Sequence, residues 1–109
     1  MKRGDILIFA GRGDYVRKPR PALVVQSDRF AGTDSLAIVP FTTTPVDADI
    51  LRLRVEPSDV NGLSQESFLM IDKVLSIKRS YVRQVIGHLS TDDLTLASAA
   101  LATFLGFAR

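Results

Sequence analysis

Apolar positions along the chain come in short runs broken by turn-forming clusters, which predicts strands nearly to the C-terminus. Residues 5–10 read as a first buried strand, and residues 11–17 as a loop with two glycines. Residues 22–26 predict a second strand. Residues 36–39 predict a third, ending at Pro40 and the polar run Thr42, Thr43 and Thr44. Residues 51–56 alternate strictly, with Leu51, Leu53 and Val55 on one face and Arg52, Arg54 and Glu56 on the other. That is the pattern of a half-buried strand in an antiparallel sheet. Asn61-Gly62 suits a turn needing positive φ. Residues 67–72 predict a fifth strand that continues to Ile77 through a bend, and residues 82–89 contain a last short one.

The period then changes. Ser90 is a good helix N-cap, and Asp92 and Asp93 fall in the first turn, where the helix dipole favours negative charge. Leu89 and Leu94 occupy the positions of a hydrophobic staple. Leu94, Ala97, Leu101, Phe104 and Leu105 recur at helical spacing, which predicts a core or dimer-packing face, and Gly106 suits the stop. The sum is a single domain, residues 1–109: a strongly bent antiparallel sheet or small barrel, closed by one C-terminal helix.

Composition removes much chemistry. With no Cys there is no thiol nucleophile, disulfide framework or thiolate metal site. The single histidine, His88, excludes a multi-histidine zinc site and a two-imidazole acid/base pair within one chain. His88 itself, between Gly87 and Leu89 at a strand end, reads as structural or surface. Neither common nucleotide-binding glycine loop is present, so no cofactor is expected. No apolar run approaches the roughly 18–20 residues that span a bilayer. The apolar stretch after Met1 is too short for a signal-peptide core, so the expected compartment is the cytoplasm. An enzyme built from this chain must work with Arg, Lys, Thr, Ser, Asp or Glu.

The net charge of +2 is unevenly spread: residues 1–20 carry +4, residues 21–72 carry −5 and residues 73–109 carry +3. The two positive segments would attract phosphate backbones or an acidic peptide if the fold brings them to one face. Within the first lies Lys18-Pro19-Arg20-Pro21, running into Ala22-Leu23-Val24-Val25. Each proline fixes its own φ and holds the preceding residue extended, so Arg20 sits between two rigid residues at the mouth of a strand. Such an arginine is suited to grip a carboxylate or phosphate with little further ordering; the alternative is a rigid turn whose arginine is merely solvated.

Four pieces, in order, resemble one family. They are Arg3-Gly4-Asp5 leading the first strand, Arg20-Pro21-Ala22-Leu23-Val24-Val25, Pro40-Phe41-Thr42, and Ile71-Asp72-Lys73 followed by Ile86-Gly87-His88-Leu89-Ser90 and the terminal helix. Their order and spacing resemble the MazF/PemK ribosome-independent endoribonuclease toxins of bacterial toxin–antitoxin pairs, over essentially the whole chain. The resemblance implies an SH3-like barrel with a C-terminal helix. It also implies a homodimer that cleaves single-stranded RNA without a metal, and a cognate antitoxin whose disordered tail covers the active site. Arg20 matches the family's catalytic arginine, Thr42 its catalytic hydroxyl, and Asp72 an acidic position near the RNA. Met70 stands where one branch has arginine, and the first loop is short, with Asp14 in place of the usual Glu.

These residue types fit that chemistry. The 2′-hydroxyl attacks phosphorus and the 5′-oxygen leaves, giving a 2′,3′-cyclic phosphate and a 5′-hydroxyl. Arg20 is planar, permanently charged and able to hold two phosphoryl oxygens. Thr42 can donate a hydrogen bond to one of them; otherwise it caps local backbone. Arg17 and Lys18 would steer the RNA backbone, and Thr43 and Thr44 are further candidates for touching it. Asp72 would accept a 2′-hydroxyl or base-amino proton, or else form a salt bridge with Lys73 or a nearby arginine. The rival on the same fold is a CcdB-like gyrase poison, which acts by binding and does not need the Arg20/Thr42 pair.

Overall fold

The strand runs become β1 (Asp5–Phe9), β2 (Arg20–Val24), β3 (Ser35–Thr42), β4 (Arg52–Val55), β5 (Ser67–Met70), β6 (Leu75–Lys78) and β7 (Val82–His88). They are followed by one helix, α1 (Thr91–Phe104). These elements come from a computed structural model, which describes residues 1–10, 18–47 and 49–109. All strand pairings are antiparallel, in the order β4-β5-β3-β2-β1-β7, with β6 also paired to β3. The expected antiparallel sheet with a C-terminal helix is what forms.

Strand β3 carries this topology. One edge pairs with β2, through Ala22↔Pro40, Leu23↔Val39 and Val24↔Ile38. The other edge pairs first with β6, from Ser35↔Lys78 to Ile38↔Leu75, and then with β5 at Phe41↔Leu69 and Thr42↔Phe68. The bend expected after residue 72 is a 3-10 turn at Ile71–Lys73, which separates β5 from β6. β3 itself runs on through Pro40 to Thr42, whereas pattern alone predicts an end at Val39. Pro40 falls where β3 changes partner, which suits a residue that cannot donate to a ladder. β2 likewise begins at Arg20, two residues earlier than the apolar run, and stops at Val24. Gln26 then leaves the strand and braces the β2–β3 connection: its carbonyl accepts from Ala37 N–H at 3.1 Å, and its amide donates to Phe30 O and Thr33 Oγ1, both at 2.9 Å.

Alternation along the strands gives the sheet two apolar faces. Ile6, Leu23, Val39 and Leu69 join Ala97, Ala100 and Leu101 of α1 in one core. Leu7, Ala22, Val24, Leu36, Ile38 and Ile77 form a second core on the other face. The helix starts as expected, with Ser90 Oγ accepting from Asp93 N–H at 3.1 Å. Its buried stripe is shorter than predicted. Ala97, Ala100 and Leu101 are buried and Leu94 packs against them, but Phe104 and Leu105 remain 44% and 49% exposed. Only the first turns of α1 lie over the core; its last turn runs past the edge.

Two register shifts where β7 meets β1, at Ile6/Leu7 and Ile8/Phe9, add to the curl of the sheet. Among the described residues β4 and β7 are the ends of the strand order, so strand pairing does not close the barrel. The loop after β4 does part of that work. Asn61, 6% exposed, accepts from Ser58 N–H and Leu63 N–H at 3.0 Å and donates to Glu56 O at 2.8 Å. This satisfied hub holds the loop on β7, where His88 N–H donates to Val60 O at 3.0 Å. Gly62 takes φ +70°, as the Asn-Gly pair predicts. Gly87 allows the close approach: a Cβ there would lie 2.3 Å from Val60 O and 2.6 Å from Asn61 C.

Gly87→Ala therefore meets backbone that cannot turn aside. It is expected to cost about 1–3 kcal/mol as overpacking, read as a lower urea midpoint at unchanged slope. A midpoint equal to that of the unsubstituted chain would show that this seam is not tight.

Candidate active site

Antiparallel neighbours alternate in direction, so the start of β2, the end of β3 and the start of β5 lie side by side at one end of the sheet. Extending the β2–β3 register two residues beyond Ala22↔Pro40 sets Arg20 across from Thr42 on the same face. A cleft of about 440 Å³ opens at this place. Lys18, Pro19, Arg20 and Pro21 line it from the β2 side. Phe41 and Thr42 line it from the end of β3, Thr43 and Thr44 from just beyond it, Gln65 from the turn before β5 and Ser67 from the first residue of β5. The charged lining residues, Lys18 and Arg20, are both cationic, so the cleft favours an anion.

Local structure prepares both central groups. Arg20 is exposed and enters between Pro19 and Pro21, and among the described residues it makes no ion pair. None of the described residues takes up its guanidinium donors, which suit a ligand. Thr42 closes β3 with an internal hydrogen bond: its Oγ1 accepts from Thr44 N–H at 3.2 Å. Capping occupies a lone pair only, and the hydroxyl proton remains for donation. The two roles considered for Thr42, local cap and hydrogen-bond donor, are thus compatible.

The family of PemK-like, MazF-like toxins of type II toxin–antitoxin systems matches residues 2–105. The chain belongs to the PemK/MazF toxin family. A probable endoribonuclease MazF from Mycolicibacterium smegmatis is 49% identical over 108 residues, covering 99% of each chain. Among solved structures, an endoribonuclease in complex with its cognate antitoxin from a mycobacterial species superposes with a TM-score of 0.81 at 21% identity, covering 100% of this chain and 98% of that one. A MazE–MazF structure from Deinococcus radiodurans gives a TM-score of 0.80 at 20% identity, covering 97% and 96%. At these identities the structural likeness establishes the PemK/MazF fold.

Five of the residues singled out from sequence meet in the cleft of this PemK/MazF chain: Lys18, Arg20, Thr42, Thr43 and Thr44. Arg17 and Asp14 lie outside the described residues. Asp72 is not part of the cleft lining. It sits in the turn Ile71–Lys73 and forms a salt bridge with Arg52, the charged-partner arrangement weighed from sequence. Alternation places Arg52 on an outward face, yet its side chain is only 12% exposed. The reason is tertiary: the turns Asp49–Leu51 and Ile71–Lys73 pack together beside the start of β4. Arg52 Nη1 donates to Asp72 Oδ1 and, at 2.8 Å, to Leu51 O, while Nε is buried without a partner. His88 is exposed and outside the cleft lining. Sequence reading missed Gln65 and Ser67 altogether, because only the sheet order brings β5 beside the end of β3.

The hydrogen bond from Arg52 holds the Asp72 carboxyl below its ordinary value of 3.8, against the opposing effect of partial burial. A carboxylate depressed on folding stabilises fully above its unfolded pKa, and that contribution is lost as pH falls through the folded value. Between about pH 5 and pH 2, Asp72→Asn is therefore expected to lose less of its denaturation midpoint than the unsubstituted chain. Parallel midpoint curves would show that the Arg52 bridge adds no acid-sensitive stability.

Proposed function

We propose that this chain is an endoribonuclease that cleaves single-stranded RNA at short sequences without a metal ion, and that a cognate antitoxin holds it inactive. The carrying observation is the placement of Arg20 across from Thr42 at the mouth of a cleft whose charged lining is cationic. Family membership, with near-half identity to a protein named a probable endoribonuclease MazF, supports the same reading. Both favour the nuclease over gyrase binding.

The reaction begins when a ribose 2′-oxygen, losing its proton, attacks the adjacent phosphorus. The bond from phosphorus to the 5′-oxygen breaks, and that oxygen takes a proton. The products are a 2′,3′-cyclic phosphate and a 5′-hydroxyl. Negative charge grows on the non-bridging oxygens, where Arg20 offers two parallel donors and a fixed positive charge. Thr42 adds a neutral donor beside it. A guanidinium gives up a proton only toward a very basic leaving oxygen, so the main role of Arg20 is electrostatic. Lys18, Thr43 and Thr44 hold the flanking backbone, with Arg17 as a further RNA contact. Asp72 would meet RNA only beyond the cleft lining.

We extend the proposal to a cytoplasmic homodimer. No helix among the described residues is long and apolar enough to cross a membrane. The exposed Phe104, Leu105 and Phe107 at the end of α1 supply apolar surface for a second subunit.

The test is incubation with a long single-stranded RNA in EDTA, mapping new 5′ ends. Discrete cuts at a shared short sequence, carrying 5′-hydroxyl ends, are expected. Thr42→Val is expected to slow cleavage by about 10²–10³-fold, the usual effect of deleting one oxyanion donor. Arg20→Ala should lose at least as much, and Arg20→Lys less, because charge survives while the two-pronged grip does not. RNA left intact across varied substrates, or near-full activity in folded Arg20→Ala, would overturn the assignment.

A further inference from the structure

The cleft is chemically graded from one side to the other. Its β2 side carries the cations Lys18 and Arg20, its centre the hydroxyls of Thr42, Thr43 and Thr44, and its β5 side the neutral amide of Gln65. A volume of about 440 Å³ lies in the range of pockets that enclose a single small ligand, and so suits one nucleotide rather than a duplex. With its phosphate on the cationic side, a nucleotide would extend its base past the threonines toward Gln65.

Building on the nuclease reading, we propose that Gln65 reads the base next to the scissile phosphate and is a specificity-determining residue of this chain. A glutamine amide presents a donor and an acceptor on one planar group, the pair needed to recognise a base edge. The backbone under Gln65 is held from two directions. Ser67, 2% exposed, donates its Oγ proton to Gln65 O at 2.9 Å. The neighbouring Glu66 accepts from Arg54 Nε at 2.6 Å. Ladder pairing begins directly afterwards, at Val55↔Ser67. The Gln65 side chain is exposed at the cleft while its main chain is tethered, the combination that turns a flexible amide into a reader. Pro19 and Pro21 supply rigid apolar walls. Ser67 spends its hydroxyl on Gln65 O, which makes it a positioning residue.

The experiment digests a single-stranded RNA pool with randomised positions and sequences the new ends. It compares the unsubstituted chain, Gln65→Ala, Gln65→Glu and Ser67→Ala, each checked for fold by circular dichroism. Gln65→Ala should relax discrimination at one position beside the cut by about five- to hundred-fold, the range for losing one two-pronged base contact, with other positions unchanged. Gln65→Glu, now acceptor-only, should shift that same position away from uracil and toward the bases offering an amino group, guanine, adenine or cytosine. Ser67→Ala should blur the same position and no other. An identical motif in both Gln65 variants, or slowing that is uniform across all sequences, overturns the inference and leaves the nuclease reading standing. A pool left uncut by the unsubstituted chain overturns both.

Discussion

From Ser35 to Thr42, a single strand hydrogen-bonds β2 along one edge and β6 followed by β5 along the other. Its side chains enter both cores, Val39 and Phe41 on one face and Leu36 and Ile38 on the opposite one. A strand confined on four sides cannot slip by one residue without turning each apolar side chain into the wrong core. The register that places Thr42 across from Arg20 is therefore enforced by burial far from the cleft. Pro40 marks the point where the outer edge of β3 passes from β6 to β5, and the cleft lies just beyond it.

The same constraint explains the electrostatic character of the site. Arg20 leaves β2 at a point where the sheet ends and water begins, flanked by prolines that limit the ways its backbone can yield. Among the described residues, three carboxylates are held by arginines of β4: Asp72 by Arg52, and Glu56 and Glu66 by Arg54. Surface ion pairs of the Arg54 kind contribute little to stability. Their consequence here is positional, since they keep Glu66 tied to β4 beside a cleft whose charged lining is cationic. The Arg52–Asp72 pair is more sheltered, and it joins the start of β4 to the turn that bends β5 into β6.

Closure of the barrel rests on a different device. Where strand pairing stops, the loop built on Asn61 is laid against Gly87, and the absence of a side chain at Gly87 sets how closely it can approach. The buried amide is tolerated because its carbonyl and its N–H groups find backbone partners, which removes the cost of burying an unsatisfied polar group. The helix covers only one core, and its final turn extends beyond that core as exposed apolar surface.

Local sequence determined the strands, the helix cap at Ser90 and the Asn61-Gly62 turn. Each depends on period, on a side chain capping its own backbone, or on the φ that a residue tolerates. The prolines around Arg20 also marked it as a fixed cation, and the ordered family motifs carried the pairing with Thr42. Tertiary structure alone decided the rest. Arg52 alternates outward with Arg54, but it is sheltered because two turns distant in sequence meet over it. Phe104 and Leu105 keep helical period with Leu101, yet the core ends before it reaches them. Gln65 lies in a polar turn with no motif around it, and it enters the cleft only because β5 pairs with the end of β3. Period and propensity act within a few residues, whereas which strand ends become neighbours is set by the burial of both sheet faces at once.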